Sequence, residues 1–192
     1  MAGIEFSYEL EKSTYDALVK KLEELAGNKA RTYIARALNK TAVTARVKLA
    51  AKAQASYTVK KAGFNSDMKI KNASAGNLVA EIRSQGNTLD ISRFHWSNSR
   101  SSGVKVDVVR SGLKPLTKYG NKAFVGGGIL KGKSSAKVYV RQSPARLPIE
   151  KLKSKSVPYM LGSENRVWGP MRPQIQSDLE HYMRQQIAML VG

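Results

Sequence analysis

Cysteine is absent from the 192 residues of the chain. Its absence excludes disulfides, thiolate–metal sites and cysteine nucleophiles. A single globule of this length buries roughly 70% of its unfolded surface, so it needs neither a disulfide nor a metal to fold. We therefore expect one domain over residues 1–192. The lack of cysteine fits a reducing cytoplasm, or a particle assembled in one.

Long apolar runs are also missing. No stretch approaches the ~20 consecutive apolar residues of a membrane helix. The first 25 residues are amphipathic and acidic, and they lack the basic start and apolar centre of a signal peptide. The sequence therefore predicts a soluble, unsecreted protein without a membrane partner.

Recognisable catalytic motifs are lacking too. The sequence contains no HExxH, GxSxG or Walker A pattern, and the two histidines, His95 and His181, have no motif partners. A nuclease needs clustered carboxylates to hold Mg²⁺. Between residues 91 and 149 the only acid is Asp107, which a sheet would have to bring to Glu81 and Asp90. We expect no catalytic residues, no metal and no cofactor, and hence a protein that is not an enzyme.

Acidic residues are scarce. The chain has 14 of them and 33 lysines and arginines, which gives a net charge of +19. Residues 1–24 hold six of the acids. Residues 25–66 hold nine bases and no acid, and residues 91–149 hold twelve bases and one acid. This strong potential implies a polyanionic neighbour or an acidic protein surface, and the composition does not choose between them.

Two helices stand out by their apolar spacing. Residues 30–55 are rich in alanine and place one stripe at the helical period: Ile34, Leu38, Ala42, Ala45, Leu49 and Ala53. The back of this helix is either solvated or in contact with phosphate. A second helix is predicted from Pro173 in its first turn, and we expect it to pack beside the first. Its inner stripe is Ile175, Leu179, Tyr182, Met183, Ile187 and Leu190.

Short strands are predicted between and before these helices. Residues 4–11, IEFSYELE, alternate apolar and polar side chains, and a short helix through about Leu25 follows, so that residues 1–28 form an N-terminal strand and helix elaboration. Further strands are predicted at 67–73, 77–84, 89–94, 104–109 and 138–141. The fold class is therefore α+β: an antiparallel sheet or small barrel flanked by a long Ala-rich helix and a C-terminal helix, with extended loop arms.

Two further segments have the composition of arms. Residues 111–136 contain six glycines and five lysines, which predicts a flexible basic loop. Residues 142–172 contain Pro144, Pro148 and Pro158, which favour extended backbone. We expect this second segment to be an extended arm.

The order of several short motifs resembles that of a known family. The chain carries, in this order, ARALNKTAVTAR (35–46), SYTVKKA (56–62), ISRF (91–94), GVKVDVVRSG (103–112), KAFVGG (122–127), VYVR (138–141), LPIEKL (147–152) and SVPYML (156–161). From about residue 30 to 190 it resembles the minor tail protein Z family of lambda-like siphophages and their prophages, also called tail completion proteins.

The resemblance implies a structural virion protein at the head-proximal end of the tail, present in the host cytoplasm during assembly. It implies a role in tail completion, head–tail joining and placement of the genome end in the tail lumen. The implied partners are other copies in a ring (six is common among related components), tail terminator or tube proteins, head-connector proteins and genome DNA held by non-specific phosphate contacts. The alternative is a free, non-specific nucleic-acid-binding protein.

Two sets of site residues follow from this interpretation. The candidates for facing DNA in the lumen are Lys105, Arg110, Lys114, Lys118, Lys122, Lys131 and Lys133. The candidates for contacts of an arm with a neighbouring subunit are Val138, Tyr139, Arg141, Leu147, Ile149, Val157 and Met160.

Overall fold

The structure is a computed structural model, and it describes residues 27–59, 64–126 and 137–191, together with Lys20 and Glu24. The predicted strand at 4–11 and most of the short helix after it lie outside the described residues. Lys131 and Lys133 lie outside them as well.

Three α-helices frame the described fold. They are α1 (Asn28–Ser56), the five-residue α2 (Val157–Leu161) and α3 (Trp168–Val191). All six residues of the predicted α1 stripe are buried, which confirms that helix and its inner face. The sequence placed Pro173 in the first turn of the C-terminal helix. α3 instead begins at Trp168, five residues earlier, so that prediction is wrong. Val167 and Trp168 are buried in the core, and this packing places the first turn ahead of the proline.

α1 and α3 form an antiparallel pair. The Thr44 and Tyr182 hydroxyls are 3.0 Å apart, and Lys48 Nζ lies 2.6 Å from an Asp178 carboxylate oxygen. The small residues of α1 let α3 approach closely. The predicted packing of the two helices is thereby confirmed.

Short antiparallel strands make up the rest of the described fold. They are β1 (Met68–Lys71), β2 (Glu81–Ser84), β3 (Thr88–Asp90), β4 (His95–Ser99), β5 (Gly103–Asp107), β6 (Lys114–Pro115), β7 (Thr117–Lys118), β8 (Asn121–Lys122), β9 (Phe124–Gly126), β10 (Lys137–Arg141), β11 (Ile149–Lys151) and β12 (Lys153–Ser156).

These strands form several small sheets. The pairings are β1–β2, β12–β3, β7–β8, β4–β5–β6 and β11–β10–β9. Backbone hydrogen bonds from Val104 to Ala123 and from Leu116 to Val104 link the neighbouring pieces. The α+β class with antiparallel sheets is confirmed. Within the described residues no closed barrel forms, so the barrel alternative is wrong.

Two hydrophobic clusters lie along the helix pair. The larger one joins residues 42–53 of α1 to the sheets and to the first turns of α3, and Phe64, Phe94 and Val140 are fully buried in it. The smaller one joins residues 30–38 of α1 to Leu179, Met183 and Ala73. α1 therefore contributes its first turns to one cluster and its last turns to the other.

The segments expected to be arms are more structured than the sequence indicated. Residues 114–126, within the expected loop 111–136, form β6 to β9. Residues 149–172, within the expected arm 142–172, form β11, β12, α2 and the start of α3. The parts of the arm that stay irregular are the turn at 142–148, between β10 and β11, and residues 162–167, between α2 and α3. The arm is thus a loop on a sheet, and its second half belongs to the core.

Candidate interaction surface

Three of the candidate lysines lie on neighbouring strands. Lys105 sits between the buried Val104 and Val106 of β5, and its side chain points to the opposite face. Lys114 on β6 pairs with Val106, and the Lys122 side chain lies beside Gly103 at the start of β5. We call Lys105, Lys114 and Lys122 the basic strand set. Within the described residues none of the three forms an ion pair.

Lys118 is held differently, in a network with Glu150 of β11. Its Nζ lies 2.7 and 2.9 Å from the two carboxylate oxygens, and the Tyr119 hydroxyl donates to the same carboxylate at 3.0 Å. The hydrogen bond from Lys118, followed by that from Tyr119, holds the pKa of Glu150 below its ordinary value. The same bond with Glu150 raises the pKa of Lys118. The positive charge of Lys118 is therefore largely compensated by Glu150 within the subunit.

Arg110 lies apart from the basic strand set. It follows β5 with a left-handed backbone (φ 50°), and its guanidinium donates to the carbonyl of Gln54, near the end of α1, at 3.2 Å. The structure thus places Lys105, Lys114 and Lys122 on neighbouring strands, with Lys114 opposite Val106 and therefore on the other side of the sheet from Lys105, and it ties Lys118 and Arg110 to other parts of the subunit.

An aromatic and cationic face covers the outer side of the β9–β10–β11 sheet. Phe124 and Tyr139 are paired across the strands with ring centroids 6.2 Å apart, and the Arg141 guanidinium lies 5.5 Å from the Phe124 ring centroid. Ile149 pairs with Arg141 on the same face, because directly opposed residues share a side of the sheet. Phe124 was not among the sequence candidates, although the short apolar run Ala123–Val125 between glycines was the available signal.

The arm candidates separate into buried and exposed groups. Val138, Val157 and Met160 are buried in the larger cluster, where they pack inside the subunit. Leu147 and Ile149 are 67% and 41% exposed. Arg141 is exposed and Tyr139 is half-buried. These four remain open to a partner.

The acids that a metal site would need are engaged elsewhere. Asp107 is buried, and one of its carboxylate oxygens accepts from the Ser111 backbone N–H at 3.0 Å. Glu81 bonds Arg83 at 2.6 Å, which lowers the pKa of Glu81, and Asp90 pairs with Lys151 at 2.6 Å. Within the described part of the chain, no group of three His, Asp or Glu side chains is placed to hold a metal ion.

The two histidines, His95 and His181, each contact residues close to them in the fold. The His95 backbone N–H donates to Thr58 Oγ1 at 3.2 Å, where β4 begins. His181 Nε2 lies 3.0 Å from the Gln185 amide nitrogen on the same helix, and its ring meets Tyr182 edge-on. The two residues thus lie on different elements, and each contacts its local neighbours.

The comparisons with known proteins agree with the resemblance in the sequence. The family model of prophage minor tail protein Z matches residues 14–191, which is nearly the whole chain. No curated protein and no solved structure matches. The helices of the described residues include none with the length and apolarity to cross a membrane.

The chain therefore belongs to the prophage minor tail protein Z family. It is a minor tail protein, and its place in the virion is the tail.

Proposed function

We propose that this minor tail protein acts at the head-proximal end of the tail, where it completes the tail and allows the head to join. The observation that carries the proposal is the family match over residues 14–191, together with the resemblance of its ordered motifs to tail completion proteins. The role is structural, without a catalytic step. The protein passes through the host cytoplasm before it enters the particle.

The protein works in this proposal as a ring of copies, for which six is the expected number. A ring needs a rigid frame and exposed segments that reach the next copy. The α1–α3 pair and its two clusters supply the frame, and the turn at 142–148 with Leu147 and Ile149 supplies an exposed segment. The faces of such a ring meet a tail terminator or tube protein on one side and a head-connector protein on the other.

Genome DNA is the polyanion that the surplus charge meets in this proposal. The basic strand set has no ion-pair partner within the described residues, so its charge is available to phosphate. Phosphate contacts depend on charge and salt and carry no base sequence. In this proposal these lysines contact DNA without reading its base sequence.

A stop codon in the gene, in the phage or prophage that encodes it, tests the proposed role. We expect DNA-filled heads and tails that remain separate, and a loss of infectious particles that a plasmid copy restores. Electron microscopy of the particles and a plaque count are the measurements. Normal joining of heads to tails without the protein would overturn the proposal.

A labelled copy tests the proposed position. A tag at the C-terminus, detected by gold particles or by density in the reconstructed virion, should lie where the tail meets the head. Density at the distal tip would contradict the proposal. A protein missing from purified virions, together with tight binding of free DNA, would favour the alternative of a free nucleic-acid-binding protein.

A further inference from the structure

The outer side of the β9–β10–β11 sheet is a surface that the proposed function leaves unused. Tyr139, in the middle of β10, lies opposite Phe124 of β9 and opposite Lys151 of β11. Lys137 and Arg141 stand two positions before and after Tyr139 on the same strand. Opposed residues, and residues two apart on one strand, share a side of the sheet. We call Phe124, Lys137, Tyr139, Arg141 and Lys151 the aromatic sheet face.

This face is turned away from the core. Val138 and Val140 alternate with its residues along β10, and both are buried in the larger cluster. Lys137 and Arg141 are exposed, whereas Tyr139 is half-buried, as is Phe124. The rings are therefore seated on the sheet and keep part of their surface accessible.

The two rings form one platform. Their centroids are 6.2 Å apart and their planes are inclined by 30°. One edge of the Tyr139 ring occupies the space above Gly126, because a Cβ at Gly126 would lie 3.0 Å from Cδ2 and 3.2 Å from Cε2 of that ring. The Arg141 guanidinium lies 5.5 Å from the Phe124 centroid, a distance at which a cation and a ring attract each other. Two rings and a planar cation thus lie side by side.

Cations flank the rings, and the face contains no acid. Lys151 is compensated by Asp90 at 2.6 Å. Lys137 and Arg141 form no ion pair within the part of the chain that the structure describes. At the usual strand rise, their backbone positions are roughly 13 Å apart, and Tyr139 lies midway between them. The face therefore offers two uncompensated charges on either side of an aromatic pair.

This combination suits a ligand whose units are both planar and anionic. Single-stranded nucleic acid is such a ligand, because its unpaired bases stack on aromatic side chains while its phosphates meet lysine and arginine. A duplex keeps the faces of its bases inside its own stack and presents only their edges in its grooves. An acidic polypeptide could meet the two cations, but a carboxylate does not stack on a ring.

We propose that the aromatic sheet face binds single-stranded nucleic acid, with bases stacked on Phe124 and Tyr139 and phosphates held by Lys137 and Arg141. This site is separate from the basic strand set, which contacts phosphate alone. It assigns Tyr139 and Arg141 to nucleic acid and leaves the turn at 142–148 to the contact between copies. The inference goes beyond the proposed function and does not depend on a ring.

A comparison of two strands tests the stacking without any variant. Fluorescence anisotropy measures the affinity of the purified full-length protein for an oligothymidine of about 10 nucleotides and for an abasic strand of the same length. The two strands carry the same phosphates, and only the first has bases. We expect the protein to bind the oligothymidine about tenfold more tightly. Equal affinities would overturn the inference.

Substitution of the rings locates the preference for bases. Tyr139→Leu and Phe124→Leu keep an apolar side chain and remove the stacking surface, so the double variant should bind both strands alike. Tyr159→Leu is the matched control for Tyr139→Leu, because Tyr159 is 48% exposed on α2 and has its own cation, Lys155, 4.5 Å from its ring centroid. The control should keep the wild-type preference. Equal losses from the two single variants would contradict the assignment to the sheet.

Gly126→Ala provides a variant that keeps both rings and every charge. Its added Cβ would press on the Tyr139 ring, so the ring must move. The preference for oligothymidine over the abasic strand should fall by several-fold, while affinity for random duplex stays as in the wild type. Duplex affinity also checks the fold of the leucine variants, because an unfolded chain would lose it. An unchanged preference in Gly126→Ala would contradict the role of the ring position.

Photo-cross-linking and competition complete the test. A strand that carries 5-bromodeoxyuridine should cross-link to Phe124 or Tyr139, as mapped by mass spectrometry, and adducts found only elsewhere would refute the site. Polyglutamate that displaces the oligothymidine as well as unlabelled oligothymidine does would mean that the face responds to charge alone and would favour an acidic protein. These assays use purified protein, whereas head–tail joining is measured in particles. Failure here therefore leaves the proposed function standing, and separate failure of joining leaves this inference standing.

Discussion

Glu150 illustrates how single residues adapt to a strongly basic chain. Its two oxygens take hydrogen bonds from Lys118 and Tyr119, and the same contacts fix the β7–β8 turn against β11. The lowered pKa of Glu150 and the raised pKa of Lys118 mean that the charged pair is favoured in the folded state. The pair thus joins two elements that are 32 residues apart in sequence.

This pair gives the fold a predictable response to acid. Because the pKa of Glu150 is lowered on folding, its stabilisation is present above the ordinary carboxyl pKa and is lost as the pH falls through the folded-state pKa. Because the pKa of Lys118 is raised on folding, the stabilisation that its charge provides is lost only as the pH rises into the alkaline range. The urea midpoints of wild type and Glu150→Gln should therefore differ at neutral pH and converge in acid. In an NMR titration, Lys118→Met should raise the pKa of Glu150, whereas Lys114→Met should leave it unchanged.

Gly120 illustrates a backbone requirement at the same turn. Tyr119 and Gly120 have φ of 55° and 73°, the left-handed pair that a tight hairpin turn needs. Gly120→Ala should lower the free energy of unfolding by about 1 kcal/mol, because a Cβ is disfavoured in this region of φ. No atom stands within 4 Å of the added carbon, so the effect is conformational.

Gly76→Ala is the matched control for this prediction. Gly76 lies in an exposed turn without a left-handed φ, and its added Cβ would be 4.0 Å from the nearest side-chain atom. Its free energy of unfolding, from urea denaturation, should change little or rise. Equal losses in the two variants would contradict the conformational explanation.

At the scale of elements, the helices were the most predictable part of the fold. The α1 stripe was read from local spacing alone, and tertiary packing buries every member of it. The arm at 142–172 was misjudged because its pairing is not local: Lys153 and Ser154 of the polar run KLKSKS pair with Asp90 and Leu89 of β3. Prolines and lysines carry no sign of such a partner, so the sequence favoured extended, unpaired chain.

The helix pair offers a direct test of the smaller cluster. Leu179, which is 3% exposed, packs there against α1. Leu179→Ala should cost about 2–5 kcal/mol of unfolding free energy, because it removes buried methyl groups and leaves a cavity. Met189→Ala, on the same helix at a position that is 61% exposed, should change stability by at most about 0.5 kcal/mol. Chemical denaturation of both variants measures the difference, and similar losses would argue against the cluster.

At the scale of the whole molecule, the charge surplus was evident from composition, but its distribution was not. Sequence reasoning named seven bases as one DNA-facing set. The fold leaves Lys105, Lys114 and Lys122 on neighbouring strands without an ion pair among the described residues, and it draws Lys118 to Glu150 and Arg110 to Gln54. Which bases stay available depends on where the few acids and carbonyls fall in space, and no spacing rule encodes that.

The basic strand set should be visible in the salt dependence of DNA binding. For the wild type, affinity for random duplex should fall as salt rises. Changing Lys105, Lys114 and Lys122 to glutamine should reduce the slope of log K against log salt by about three. Each lost phosphate contact lowers that slope by about one. Fluorescence anisotropy over a salt series measures the slope.

A triple variant of equal charge serves as the comparison. Lys69, Arg166 and Arg184 are exposed on β1, before α3 and on α3, so changing all three to glutamine removes the same net charge elsewhere. Its slope should stay close to that of the wild type. If both triple variants lose the same slope, the charge acts as a diffuse total and the basic strand set has no special role.

One long helix shared by two hydrophobic clusters also decides how the subunit comes apart. Neither cluster can melt without stripping cover from the α1 residues that the other needs, so both ends should unfold in one cooperative step. The amide hydrogens between Leu38 and Leu49, at the junction, should be the last to exchange with deuterium. A subunit built this way should be either fully folded or fully unfolded when it assembles. A partly unfolded copy would not be stable enough to be incorporated into the particle.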